Sequence, residues 1–200
     1  MRHPIGLIIS VLTLTLLPLA VHAHTGVEYL NQLMLSQAFL AGVLHPLLGM
    51  DHLLVMLAIG FWAGLLRGKA LWLLPGSFLT MMTIGAGLQM SGIALAAAEV
   101  WVMLSVLVCG LGLFWAHQQH PVSLLVSLMT SVLAVGHGYV HAAEATGDFS
   151  LYAAGFLLMT ALLHGLGILF SLFAGYKLNR LRQSFAIICT LTGAALLIAL

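Results

Sequence analysis

Six long apolar runs succeed one another along the chain: Met50 to Leu66, Ala70 to Leu88, Ile93 to Ala116, Val122 to Ala145, Leu151 to Tyr176 and Ser184 to Leu200. Each is close to the roughly 20 residues that an α-helix needs to cross bilayer hydrocarbon. The polar connections between them are short, the longest being Lys177 to Gln183, so no separate soluble domain fits. The pattern predicts an all-α integral membrane protein, one domain over residues 24–200, built as a bundle of six transmembrane helices. Upstream, the stretch from Val27 to Leu44 is diluted by Glu28, Asn31, Gln32, Ser36 and Gln37. Its apolar remainder of roughly a dozen residues is short for a span and predicts an interfacial or re-entrant helix, with a seventh transmembrane helix as the alternative.

The amino terminus begins MRH, continues with an apolar stretch from Ile5 to Leu17 and then reads PLAVHA. This predicts a cleavable signal peptide over residues 1–23, with cleavage after Ala23. The mature chain then starts at His24 outside the cytoplasm. Six spans from that start place both Arg67/Lys69 and Lys177/Arg180/Arg182 in the cytoplasm, as the positive-inside rule requires, whereas seven would place both outside.

Composition agrees and narrows the chemistry. Hydrophobic residues make up 62% of the 200 and charged residues 6%, with a mean hydropathy of +1.14. A net charge of +1 leaves no basic field for nucleic acid. The two cysteines, Cys109 and Cys189, lie inside apolar runs and read as small buried thiols. Ten histidines stand beside only six Lys and Arg and five Asp and Glu, a bias towards metal or protons.

The histidines are not scattered at random. In the six-span arrangement His45, Asp51 and His52 open the first span on its outer side, and His137, His141 and Glu144 finish the fourth on the same side. The spacing i, i+4, i+7 aligns the latter three on one helical stripe. Pro46 and Gly49 are expected to break any helix through His45, so that His45 folds back towards Asp51 and His52. Adjacent Asp51 and His52 cannot share one helical face, so one is expected to ligate metal while the other orients a ligand or carries a proton. Imidazole and carboxylate without thiolate suit Ni(II), Co(II), Zn(II) or Mn(II) better than Cu(I). His24, as a free amino terminus, can chelate through its amine and ring. Glu99 and His164 are weaker candidates, for a translocation pathway. No phosphate-binding loop is present. A rival reading is an intramembrane zinc hydrolase, although the His-Glu-x-x-His pattern is absent; a third is a metal-binding accessory protein without flux.

The stretch His45-Pro-Leu-Leu-Gly-Met-Asp51-His52-Leu-Leu-Val-Met-Leu-Ala-Ile-Gly60 resembles the first signature of the HupE/UreJ hydrogenase and urease accessory proteins, and His137-Gly-Tyr-Val-His141-Ala-Ala-Glu144 is similar to the second. Further likenesses are His24-Thr-Gly26, Ala70 to Pro75, Glu99 with Ser105-Val-Leu-Val, and Thr160-Ala-Leu-Leu-His164. Ala142 and Val140 depart from the family's glycine and alanine. The resemblance implies a small nickel permease of the bacterial inner membrane with a signal sequence and six spans. It implies no enzymatic activity and no permanent cofactor. Ni(II) would be the transported ion, handed on to hydrogenase or urease maturation proteins, and a homo-oligomer is compatible. It also strengthens pathway roles for Glu99 and His164. The pattern of His45, Asp51 and His52 also resembles, at a different spacing, the histidine, aspartate and histidine signature on a helix of the larger nickel and cobalt permeases, an analogy between sites and not evidence of kinship.

Overall fold

The computed structural model describes residues 37–116, 121–174 and 178–200, and the side chains of 121–127 and 178 are not among those described. The predicted signal peptide and His24 lie outside the described residues. Every regular element described is a helix: α1 (Ala38–Leu48), α2 (Met50–Leu66), α3 (Ala70–Met90), α4 (Ala98–Phe114), α5 (Pro121–Glu144), α6 (Phe149–Phe173) and α7 (Leu178–Ile198). Three of them, α3, α6 and α7, are long and apolar enough to cross a membrane. The pair α1 and α2 passes the same test as one broken span, bent by 81°.

That bend corrects one expectation. Pro46 does not break the helix; α1 runs through His45 and Pro46 to Leu48. Proline at this place removes only one backbone donor, a loss that membrane helices tolerate where neighbouring protein covers the freed carbonyl. The break falls at Gly49, whose backbone is extended at φ −90° and ψ 119°. A side chain at Gly49 would also run into the His52 ring and the Asp51 carboxylate. The third apolar run departs as well, since residues 93–97 are not helical and α4 starts only at Ala98. Gly92 and Ala97 there have φ of 71° and 53°, left-handed conformations that a helix cannot continue through.

The molecule is apolar outside and partly polar inside. Leu158, Leu162, Leu166, Leu169 and Phe170 line the exposed side of α6, whereas its buried side carries Thr160, His164 and Ser171. This inversion is expected where the solvent is lipid, because hydrocarbon rewards exposed leucine and penalises exposed hydroxyl or imidazole. Helix α2 is central: twelve of its seventeen residues are buried, Trp62 and Phe61 among them.

Lipid gives no hydrophobic push between helices, so close packing must supply the attraction, and small residues permit it. Reciprocal glycines do this here. A Cβ at Gly42 of α1 would strike the Tyr152 carbonyl of α6, and one at Gly155 of α6 would strike Phe39 of α1. The same exchange joins α2 to α6 through Gly60 and Gly167, α3 to α5 through Gly85 and Gly138, and α4 to α7 through Gly110 and Gly193. Gly136 adds a notch between α5 and α4. At the far end of α4, buried Arg182 of α7 donates to the carbonyls of Leu113 and Phe114 at 2.7 and 2.6 Å. It caps the orphan acceptors and the negative end of that helix. Asp148 caps α6, accepting from the Leu151 amide at 2.9 Å.

Gly138→Ala is therefore expected to lower the thermal midpoint of the purified protein, since forced overpacking costs about 1–3 kcal/mol. Gly87→Ala, where a Cβ meets open space, is expected to leave it unchanged or raise it, alanine being the better helix former by about 1 kcal/mol. Equal melting of the two variants in one detergent would refute the glycine-notch account.

Candidate metal site

The bend at Gly49 lays the last turn of α1 beside the first turn of α2, and the final turns of α5 approach both. His45, His52 and His141, one from each helix, each offer a ring nitrogen, and these atoms lie within 4.8 Å of one another. All three residues are buried. Their rings are in contact, with centroids 4.5 Å apart for His45 and His141 and 4.2 Å for His52 and His141. Glu144, one turn beyond His141, brings a carboxylate oxygen to 3.6 Å from His45 Nε2 and 3.7 Å from His141 Nδ1.

These spacings can be tested against metal geometry. Two ligand atoms on one zinc-type ion sit at most about 4.2 Å apart, twice a bond of about 2.1 Å. The Glu144 separations fall inside that limit, and the three nitrogens, all within 4.8 Å of one another, lie close to it. A small inward movement of the rings would let one ion touch the set.

Asp51 and His52, adjacent in sequence, have different surroundings. The Asp51 carboxylate accepts the His52 backbone amide at 2.9 Å, in the first turn of α2, and lies 3.6 Å from His52 Nε2. His137 behaves differently from His141 although both are on one stripe. Its Nδ1 lies 3.1 Å from Nδ1 of His52, and its Nε2 lies 2.7 Å from Oγ of Ser105 on α4. Both of its ring nitrogens are engaged in hydrogen bonds, so it stands behind His52 and outside the group of three.

The two weaker candidates are not in the cluster. Glu99 is exposed, in the wall of a cavity of about 470 Å³ that Tyr139, Ala143 and Glu144 also line. Glu144 thus belongs both to this cavity and to the histidine group. Ala97, in the same wall, holds its left-handed backbone without glycine, the kind of strain that tends to gather at functional sites. His164 is buried, and among the described residues neither of its ring nitrogens has a hydrogen-bond partner. The Phe78 ring is in contact with both His137 and His164, with centroids 5.5 and 5.3 Å away. The hydroxyls of Thr160 and Ser171, on the same side of α6, are likewise buried without a hydrogen-bond partner among the described residues.

Aromatic rings close the cluster from the side: Phe156 stands 4.2 Å from His141, and Tyr152 6.0 Å from His45. Neither these walls nor the bonding role of Ser105 was foreseen from the sequence. Serine within the apolar run of α4 was a signal, because a hydroxyl in hydrocarbon needs a partner.

The model of the family described as HupE / UreJ protein matches residues 12–196. The chain is also 39% identical over 158 residues to Protein HupE of Rhizobium leguminosarum bv. viciae, covering 76% of each chain. The chain belongs to the HupE/UreJ family. No solved structure matches. In this HupE/UreJ protein, a multi-pass membrane protein, the two stretches that carry the likeness, 45–60 and 137–144, are those that meet in space at the histidines. The likenesses at Glu99, Ser105 and 160–164 fall on the cavity wall, on the bond to His137 and on the buried side of α6.

Proposed function

We propose that this protein is a secondary or channel-like permease for a divalent transition metal, with Ni(II) as its principal ion, supplying hydrogenase or urease maturation. The observation that carries the reading is the meeting of three buried histidine nitrogens, from three separate helices, inside a bundle whose outer surface is apolar. Such groups are costly in a membrane and mark ion pathways by default. Membership of an accessory family favours transport over zinc hydrolysis.

In this reading a hydrated cation enters the cavity at Glu99, exchanges water for the Glu144 carboxylate, and passes to His45, His52 and His141. The carboxyl groups of Glu144 and Asp51 are the nearest acidic groups to these rings, and a dication in a medium of low dielectric needs such partners. Nitrogen and oxygen donors suit Ni(II), with Co(II), Zn(II) and Mn(II) as competitors. Rotation of Phe78 then opens the way to His164, and the hydroxyls of Thr160 and Ser171 continue the polar stripe down α6. His24, at the mature amino terminus, is a first chelator outside. Handoff to maturation proteins follows on the cytoplasmic side of the inner membrane.

The arrangement in the bilayer is six spans, α2 to α7, with α1 folded back at the outer surface and both ends of the mature chain outside after removal of residues 1–23. The histidine-bearing helix ends then share the outer side. Arg67, Lys69, Arg180 and Arg182 share the inner one, and the bonds from Arg182 to the end of α4 are consistent with that.

Radioactive nickel uptake into proteoliposomes tests the function. Saturable uptake is expected for the wild type and should be abolished in His52→Ala and in His141→Ala. His164→Ala should retain nickel binding but lose at least about ten-fold in flux, an added barrier of about 1.4 kcal/mol. Undiminished flux in His52→Ala would remove the cluster from the pathway. For the topology, a carboxy-terminal alkaline phosphatase fusion is expected to be active and a fluorescent-protein fusion dark; the opposite pair of results would rule out six spans from an outer start.

A further inference from the structure

The bonds around His137 determine where protons sit in the cluster. Ser105 is fully buried on α4, and its hydroxyl donates to the Val102 carbonyl at 2.6 Å. A serine hydroxyl has one proton to give. The 2.7 Å contact between Ser105 Oγ and His137 Nε2 therefore runs the other way, with the Nε2–H of His137 donating. A neutral imidazole carries its proton on one nitrogen only, which leaves Nδ1 of His137 as an acceptor. The atom 3.1 Å from it is Nδ1 of His52. His52 must then hold its proton on Nδ1 and carry its electron pair on Nε2.

We infer that Ser105 and His137 are positioning residues that hold His52 in the Nδ1–H form, so that His52 Nε2 is the atom offered to a divalent cation shared with His45 and His141. The inference rests on the cation-site reading above and adds to it which residues ligate and which orient. His137 becomes the support of a ligand. The chain of bonds ends on a backbone carbonyl and contains only neutral groups, so it orients a ligand inside the membrane without adding a charge that would itself need burial. Metal-bound histidines generally donate their second ring N–H to a fixed acceptor in this way. Asp51 Oδ1 lies 3.6 Å from Nε2, too far for a hydrogen bond, so it does not hold a proton there in place of Nδ1. Two electron-pair donors facing each other repel, and a cation bound between them turns that repulsion into attraction.

Two measurements on the purified full-length protein in nanodiscs test this. The first is the nitrogen NMR spectrum of the metal-free protein labelled at histidine, with the His52 signals assigned by their loss in His52→Ala. The second is equilibrium binding of Ni(II) alone. The wild type is expected to show His52 protonated on Nδ1. Ser105→Ala should give a mixture of the two forms and weaken Ni(II) binding by roughly 10–100-fold, while Ser105→Thr, which keeps the hydroxyl, should restore both. His137→Asn, whose side-chain oxygen can still accept from His52, should bind more tightly than His137→Leu. Unchanged His52 signals and unchanged affinity in Ser105→Ala would overturn the inference. So would equal loss in His137→Asn and His137→Leu, the result expected of a direct ligand. A wild type that binds no Ni(II) would overturn the cation reading and the ligand role together, and the metal-free spectrum separates that failure from a failure of the bonding chain.

Discussion

In hydrocarbon, a polar group has only the protein to bond with, and that constraint shapes this molecule from the cluster outwards. Three imidazole nitrogens brought within 4.8 Å of one another need helices that approach closely and in a fixed register. Glycines at the contacts provide the approach, and the break at Gly49 provides the angle. Had α1 continued straight into α2, His45 and His52 would lie seven residues apart on a single helix, about 10 Å along its axis. Bent by 81°, the chain brings the two rings to a centroid separation of 5.6 Å.

The same constraint separates the histidines by what surrounds them. His141 sits among rings, with Phe156 against it and His45 and His52 at its edges. His137, one turn away, is tied to Ser105 and His52. His164 packs against Phe78. Three identical side chains thus meet three different environments, and their chemistry diverges although their composition does not.

Much of this was legible in the sequence, and the illegible part has a physical cause. The limits of α2 agree to the residue, because Gly49 on one side and Arg67-Gly68 on the other interrupt an unbroken apolar run. The shared stripe of His137, His141 and Glu144 follows from helical periodicity alone. Pro46 misled, since its cost depends on whether a neighbouring helix covers the freed carbonyl, which is a tertiary matter. The start of α4 misled too, because hydropathy is blind to the left-handed backbone at Gly92 and Ala97. The separate duties of His137 and His141 depend on a serine 32 residues away in sequence, and the depths of Glu99 and His164 depend on how their helices are set in the bundle. No local pattern encodes either.

The glycine notches carry a further mechanical meaning. Among the described residues they join α1 and α2 to α6, and they join α3, α4, α5 and α7 to one another, but none links the first set to the second. The bundle is therefore two tightly meshed blocks with a looser seam between them. His45 and His52 stand on one side of that seam and His141 on the other; Phe78 and His164 face each other across it deeper down. Apolar side chains pack across the seam without glycine notches, and an ion gripped by all three histidines would rivet it at the end where they meet.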